Sequence, residues 1–451
     1  MPTIKITERD LTSPGDRVSN YDIVYVPGLM TTDTTKFTDV NKAAKKRVPT
    51  LCRTVYEFTT AFGEEPFYFD KGTSGNAPSF DLSYLYAKEL LSLGIPVLYE
   101  SLNDTSDTAT TTWTADTFTT KLLTDKVYAD LKDKGVYQFK YITSGGYSSY
   151  TVGSTPTTAT TSGDDGDEGD KGADTNVQLY TKMVELARDR GDCIVLIDHD
   201  KSAKDVTTIY SDVKTNLINM DMADSSAFFT PWVNINSTTY VPLTDSNGKI
   251  LSGETTTFCM PPSFAYLSAL AKSLRSNPSW LAVAGASRGQ IPNLNGETPL
   301  NVTKVVTNAI ADSLQPRGEI SINPITEIKP FGYRIWGNRT LKNNAIEGDL
   351  TATSFLNTRS MICDVKKVVY EACRKFTFEQ NNDLLWLNFK SYIEPTLNRM
   401  QAGAGLSGFK IIKDTTNAKA KLMAKIKLYP IYAVEDFDIE VQMLDEEIKV
   451  S

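Results

Sequence analysis

The sequence predicts a multidomain protein that joins an α/β domain to a C-terminal α+β domain and has an extended strand arm at each end. The chain has 451 residues, which is too long for one small core. Strand patterns and helix patterns alternate from Tyr21 onwards, as expected for a mainly parallel sheet covered by helices. Beyond residue 340 the order changes to long helices followed by two strands with alternating polarity.

The α/β domain is predicted over residues 21–340. Short apolar runs bounded by turn residues predict its buried strands, and apolar residues that recur about every 3.6 positions predict its helices. The predicted strands lie at 23–26, 67–69, 95–99, 136–142, 193–198, 227–233 and 332–336, and the predicted helices at 49–61, 81–93, 116–134, 176–190 and 261–274.

One stretch interrupts this alternation between residues 143 and 175. It is rich in Thr, Ser, Gly and Asp and nearly free of large apolar side chains, so it cannot offset its own ordering entropy by burial. We therefore expect an exposed insertion. Its acidic run at 163–170 superficially resembles a calcium loop, but the spacing does not fit the EF-hand series, and a solvated acidic loop is favoured.

The C-terminal domain is predicted over residues 341–433 around a strand–helix–strand unit. Phe376 and Phe378 predict a short strand, and Asn382 carries a side chain that can cap the start of a helix. Apolar residues then follow a helical period until Gly403, which ends the helix.

A helix with basic side chains is predicted just before this unit, at residues 355–374. Two interpretations stay open, namely a solvated face and a surface that docks an acidic partner. The basic side chains concerned are Arg359, Lys366, Lys367 and Arg374.

Strands with alternating polarity lie at both ends of the chain. Residues 1–20 predict a short strand on a tether, and residues 434–451 predict a C-terminal arm. The strand that contains Lys425 is basic on its polar face and the strand that contains Asp438 is acidic, which suits cross-strand pairing. The apolar positions of the two arms are Ile4, Ile6, Phe437, Ile439, Val441 and Met443.

Composition excludes several classes of function. A net charge of −8 disfavours binding to nucleic acid or to an anionic membrane, and no apolar run approaches the roughly 20 residues of a membrane span. The beginning of the sequence lacks the apolar segment of a signal peptide, so we do not expect export by the general secretory route. Five cysteines without a CxxC pair predict free thiols in a reducing compartment. No phosphate-binding loop follows a strand, and we expect no nucleotide, metal or other cofactor.

Two motifs could carry chemistry. Ser287 lies in a GxSxG sequence, but the single histidine, His199, precedes it, whereas a nucleophile elbow needs its base to follow the serine. A tight turn is therefore favoured there. His199 stands between Asp198 and Asp200 at a strand end, where catalytic sites often lie, yet a loop tip is the commoner case. We expect no enzyme, and a hydrolase that uses Ser287 or His199, or an adhesive module that uses the insertion, stay as alternatives.

A series of short motifs follows in a fixed order from the middle of the chain onwards. They are a Pro-Trp strand at 228–232, a Pro-Pro-Ser helix start at 261–263, a Trp-Gly-x-Arg-Thr-Leu segment formed by Trp336, Gly337, Arg339, Thr340 and Leu341, an Asn-x-Arg helix at 357–359, a Phe-x-Phe-Glu-x-Asn-Asn segment at 376–382 and a Gly-rich exit at 403–408. A chain with these motifs in this order resembles the contractile tail sheath proteins of tailed bacteriophages and related injection machines. The insertion at 143–175 departs from the family pattern.

The resemblance implies a structural subunit that polymerises as a helical tube around an inner tail tube and contracts to drive that tube through a cell envelope. The two arms would add strands to sheets of neighbouring subunits, and the basic helix would face the tube. The implied partners are further copies of the chain, the inner tail tube protein, and baseplate and tail terminator proteins, without nucleic acid or membrane insertion. The implied location is a virion tail assembled in the host bacterial cytoplasm.

Overall fold

The computed structural model describes most of the chain between residues 22 and 435. The described residues are 22–28, 47–62, 69–70, 82–102, 121–122, 129–147, 149–153, 179–201, 205–218, 220, 223–237, 243–244, 256–292, 301–346, 348–414 and 421–435. The predicted arm positions, from Ile4 and Ile6 to Phe437, Ile439, Val441 and Met443, lie outside them. Within the described part of the chain, no helix is long and apolar enough to cross a membrane.

Strands and helices alternate through the first part of the chain and give way to two long helices and a hairpin. The strands are β1 (Val24–Gly28), β2 (Thr50–Cys52), β3 (Phe69–Asp70), β4 (Val97–Ser101), β5 (Tyr141–Ile142), β6 (Ile194–Ile197), β7 (Ser226–Thr230), β8 (Val233–Ser237), β9 (Leu243–Thr244), β10 (Thr256–Met260), β11 (Asn301–Val302), β12 (Asn323–Ile328), β13 (Gly332–Ile335), β14 (Leu406–Lys413) and β15 (Ala424–Pro430). The helices are α1 (Val55–Phe62), α2 (Leu82–Ser92), α3 (Leu179–Arg190), α4 (Val206–Asn216), α5 (Pro262–Leu274), α6 (Gly285–Arg288), α7 (Asn308–Ser313), α8 (Leu356–Phe376) and α9 (Asp383–Ala402).

An eight-stranded sheet forms the centre of the α/β part, in the order β13-β12-β7-β6-β5-β1-β4-β2. The strands from β12 to β4 in this order run parallel to their neighbours, while β13 and β2 are antiparallel at the two edges. Parallel strands need helical crossovers that cover both faces, which explains their continuous apolar runs. The predicted mixed α/β class is confirmed.

Successive residues of each central strand enter cores on opposite faces of this sheet. Val24 and Val26 of β1 belong to one core, together with α2 and α5, whereas Tyr25 belongs to the other, together with α3 and α4. This alternation is the two-residue period of a strand that is buried on both sides.

A third core lies in the C-terminal part, where α8 and α9 pack together beneath the β14–β15 hairpin. Asn382 caps α9 by accepting a hydrogen bond from the Leu385 amide, and the helix ends at Gly403, as predicted. Because α8 contributes Met361 to this core and Leu356 to a core of the α/β part, the helix belongs to both. The predicted domain boundaries stay predictions.

Several sequence-based expectations about the fold are wrong. The helix predicted at 49–61 begins only at Val55, because Thr50–Cys52 form β2. Phe376 is the last residue of α8 and not part of a strand, and Phe378 is fully exposed with a φ of 72°. The exposed insertion does not begin at Thr143, because Thr143 and Tyr150 are buried and Tyr150 exchanges backbone hydrogen bonds with Asp198 and Asp200. Residues 136–140 are not strand, since β5 begins only at Tyr141.

Candidate functional site: the C-terminal hairpin and its ionic base

The β14–β15 hairpin is an antiparallel pair whose register runs from Leu406 opposite Pro430 to Lys413 opposite Ala424. Its inner face packs Phe409 and Leu428, which are paired across the strands, on the third core. Neither strand pairs with a third one within the described residues, so both edges of the hairpin present unpaired backbone groups there. A two-stranded sheet of this kind is marginal without further support and can accept an additional strand.

The outer face of the hairpin is basic. Lys410 lies directly opposite Lys427, and like charges in this position destabilise a strand pair. On the same face, Lys425 Nζ lies 3.5 Å from Asp414 Oδ2. The face therefore favours a strand that brings carboxylates.

A groove of about 760 Å³ lies beside β15 on the inner side of the hairpin. Ala424 and Ile426 of β15, Val369 and Phe376 of α8 and Phe389 of α9 contribute apolar lining, and the loop 377–381 contributes mostly polar side chains. A strand added at the edge of β15 would direct every second side chain into this groove, because side chains alternate between the faces of a sheet.

The base of the C-terminal part is α8, which is held against the α/β sheet by buried ion pairs. Lys140 Nζ lies 2.8 Å from Asp22 Oδ1 and 2.8 Å from Asp364 Oδ1, and Ser279 Oγ donates to Asp364 Oδ2 at 3.1 Å. Burial, together with the negative charge of Asp22, raises the pKa of Asp364, although Lys140 opposes this shift. Burial would lower the pKa of Lys140, but the two carboxylates overcome it and raise that pKa well above its ordinary value.

A second buried ionic cluster lies next to the first. Lys367 Nζ is 2.9 Å from Asp192 Oδ2 and donates to the Phe139 carbonyl oxygen at 2.6 Å. Arg190 Nε is 3.1 Å from Asp192 Oδ1, and its guanidinium lies 4.1 Å from the centre of the Phe139 ring. Burial acts to raise the pKa of Asp192, but the charges of Lys367 and Arg190 prevail and lower it.

The two clusters lie at the same edge of the sheet. Asp22, Lys140 and Asp192 each stand one or two residues before a parallel strand, namely β1, β5 and β6. Because the amino ends of neighbouring parallel strands meet at one edge, α8 crosses that edge and presents its charged side chains to it.

The structure corrects the prediction of a solvated basic helix for two of its four basic side chains. Arg359 is buried and contacts Asp224 and Ser225, and Lys367 is buried in the second cluster. Lys366 and Arg374 are exposed and donate to the carbonyl oxygens of Gly191 and Gly135. The carboxylates and carbonyl oxygens that these basic side chains contact therefore belong to the same chain. The contact of this helix with an inner tube stays a prediction.

The Trp-Gly-x-Arg-Thr-Leu segment links the sheet to α8. Arg339 donates its amide to Asn323 Oδ1 at 2.7 Å and forms an isolated bridge with Phe355. Gly337 is required because a Cβ atom there would lie 2.6 Å from Asn323 Oδ1 and 2.9 Å from Asn323 Cα. The Arg339 guanidinium is buried, forms an ion pair with Glu435 and lies 5.2 Å from the centre of the Phe355 ring.

The carboxyl edge of the sheet is filled by a buried polar network. Asp198 accepts hydrogen bonds from Ser263 N at 2.8 Å and Ser263 Oγ at 2.6 Å at the start of α5, and burial raises its pKa to about 7. His199 is buried rather than at a loop tip, and burial lowers its pKa to about 4. Its ring nitrogens contact Thr230 Oγ1 and the Asp200 carbonyl oxygen.

The described geometry does not favour either catalytic alternative. Ser287 is exposed on the single turn of α6, and both ring nitrogens of His199 are already engaged elsewhere. Among the residues that the structure describes, no group of three His, Cys, Asp or Glu side chains is arranged to hold a metal ion.

The comparisons with known proteins point in one direction. No family model matches the chain. A segment of 138 residues is 28% identical to a tail sheath protein of Vibrio phage KVP40 and spans 31% of this chain and 19% of the phage protein. The sheath complex of the PVC extracellular contractile injection system, in its contracted state, superimposes with a TM-score of 0.58 at 13% identity and covers 99% of this chain and 98% of its own.

This chain has the fold of contractile sheath proteins. The contracted helical sheath of the anti-feeding prophage also matches, with a TM-score of 0.55, 15% identity and coverage of 98% of both chains. The resemblance inferred from the sequence motifs is therefore confirmed.

Sequence reasoning missed the two clusters of buried ion pairs that hold α8 against the large sheet. The available signal was the position of Asp22 and Asp192, each just before a predicted buried strand, because such residues must meet at one edge of a parallel sheet. Lys140 gave no such signal, since it lies inside the strand predicted at 136–142. Asp364 had no comparable signal, since its partner Lys140 is 224 residues away in sequence.

We expect the substitution Lys140→Met to destabilise the monomer by about 3–5 kcal/mol, because it leaves Asp22 and Asp364 buried without their cation. The matched control is Lys132→Met, which removes a half-exposed partner of Asp189 and should cost about 0–1 kcal/mol. Urea unfolding of both variants measures the difference. A Lys140→Met protein as stable as the control would contradict the structural role of the cluster.

We expect Asp198 to make stability depend on pH. Its folded pKa of about 7 exceeds its ordinary value, so its contribution is complete at low pH and is lost as the pH rises through 7. The free energy of unfolding of Asp198→Asn, minus that of the native protein, should therefore rise between about pH 5 and about pH 8. Glu89, whose pKa burial also raises to about 7, titrates in both proteins and cancels. A difference that stays constant or falls would show that Asp198 is ionised throughout.

Proposed function

We propose that this chain is the structural subunit of a contractile tail sheath. Copies polymerise as a helical tube around an inner tail tube, and contraction of the sheath drives that tube through the envelope of a target cell. The observation that carries the proposal is the fold match along 99% of the chain to a sheath from a contracted injection system.

Strand exchange through the open hairpin links the subunits. An arm of one copy adds to an edge of the hairpin in the next copy, and main-chain hydrogen bonds supply the connection. Each such bond contributes only about 0.5–1.5 kcal/mol, but the link repeats at every subunit. Because a contact of this type is head-to-tail and does not close, it generates an open helical polymer.

We assign the C-terminal arm to the edge of β15 because its charge and polarity fit that edge. Phe437, Ile439 and Val441 alternate with acidic residues, so one face of the arm suits the apolar groove while the other brings carboxylates to Lys425 and Lys427. The end of the arm continues the same pattern through Met443. The N-terminal arm, with Ile4 and Ile6, then adds to the edge of β14.

The remaining partners follow from the same role. The inner tail tube protein contacts α8 at its exposed basic side chains, Lys366 and Arg374, while the buried Arg359 and Lys367 hold the helix against the α/β part. Baseplate and tail terminator proteins bind the two ends of the sheath. The particle is a phage tail or a related injection device, assembled in the bacterial cytoplasm. New contacts between subunits, without nucleotide hydrolysis, supply the work of contraction.

Removal of an arm should prevent assembly without unfolding the subunit. We expect chains that lack residues 1–12 or 436–451 to remain folded monomers and to form no striated tubes under negative-stain electron microscopy. As a control for the charge argument, Lys425→Glu with Lys427→Glu should block assembly, and Asp436→Lys with Asp438→Lys in the same chain should restore it. Tubes formed by either truncated chain would refute the linkage.

A further inference from the structure

The five residues that follow β15 are held by three separate contacts. Ile431 N donates to the Gly405 carbonyl oxygen at 3.1 Å, so the chain continues past the start of β14 by one more pair. The ring of Tyr432 lies 5.2 Å from the ring of Phe355 at an angle of 33°. Glu435 then forms the ion pair with the buried Arg339.

Arg339 and Phe355 are fixed points of the subunit. The backbones of the two residues form an antiparallel β-bridge. The Arg339 amide donates to Asn323 Oδ1 at 2.7 Å, and Asn323 Nδ2 donates to the Arg339 carbonyl oxygen at 2.8 Å. Asn323 also donates to the Phe228 carbonyl oxygen in the middle of the large sheet. We call the set Arg339, Phe355, Tyr432 and Glu435 the exit clamp.

The exit clamp opposes pairing of the arm with its own hairpin. An arm that folded back on the open edge of β15 would need a reversal of about two to five residues directly after Pro430. Residues 431–435 would have to form that turn, but they are committed to Gly405, Phe355 and Arg339. The chain therefore leaves the hairpin towards the start of α8 and away from the edge of β15.

We propose that the exit clamp is a positioning device which makes the C-terminal arm pair with the hairpin of a second copy instead of its own. This inference rests on the proposed strand exchange. The arm and β15 are complementary in charge and polarity within one chain, so a monomer that could pair with itself would block its own assembly site. The exit clamp prevents this pairing within one chain, because it fixes the position and the direction in which the arm begins.

The test compares pairing within a chain to pairing between chains. In full-length protein with Cys259 and the exposed Cys373 changed to Ser, cysteines are placed at Tyr429 and Gln442, which carry none of the pairing charges, and are joined with a flexible bismaleimide. A chain with both cysteines reports intrachain links, and a mixture of chains with one cysteine each reports only interchain links. The clamp variant is Glu435→Gln with Tyr432→Ala, and the matched control is Glu327→Gln with Tyr56→Ala, two exposed residues outside the arm and the hairpin.

We expect interchain links in the native protein and in the control. In the clamp variant the ratio of intrachain to interchain links should rise roughly tenfold and the tube yield should fall, as expected for loss of a charge-assisted hydrogen bond. Glu435 is partly exposed, so we expect the variant to stay folded, and urea unfolding checks this. An unchanged ratio in a folded variant would overturn the role of the exit clamp and leave strand exchange intact. If native tubes give no link between the arm and β15, strand exchange fails and this inference fails with it.

Discussion

The buried ion pairs between α8 and the amino ends of β1, β5 and β6 are the constraint on which the rest of the structure depends. They involve Lys140 between Asp22 and Asp364, and Lys367 beside Asp192. Buried ion pairs add little net stability over apolar packing, yet they are costly to separate and define one relative position. The opposite side of α8 carries Met361 and Val365 into the third core. One helix therefore joins the large sheet to the hairpin, and a force applied to the hairpin reaches the sheet.

The hairpin is the part of the molecule that is incomplete by itself. Its two strands have no third partner among the described residues, Lys410 faces Lys427, and an apolar groove remains beside β15. Backbone groups, charge and shape thus all favour the same addition, an extended strand that is acidic on one face and apolar on the other. A subunit that is rigid at α8 and open at the hairpin edge suits a polymer in which domains move while the links between them persist.

Local features were predictable from the sequence and distant ones were not. The cap at Asn382, the buried run of β6 and the proline in the first turn of α5 depend on neighbours in sequence, and all three were predicted. The burial of Arg359 and Lys367 depends on Asp224 and Asp192, which are 135 and 175 residues away. The strand expected at Phe376 failed because packing of its ring near Tyr392 extends α8, although an alternating Phe-x-Phe segment favours a strand. The polar residues near Tyr150 are buried because their backbone groups bond to Asp198 and Asp200, which composition alone cannot reveal.

The most direct test of the account is a cryo-electron microscopy map of tubes assembled from the full-length chain. The account predicts that each β14–β15 hairpin is extended by strands from neighbouring subunits, with an acidic strand beside β15 and its apolar side chains in the groove formed with Val369 and Phe376. It also predicts that α8 keeps its contacts with Lys140 and Asp192 in every subunit. Tubes in which the hairpin remains two-stranded, with the groove open to solvent, would contradict it.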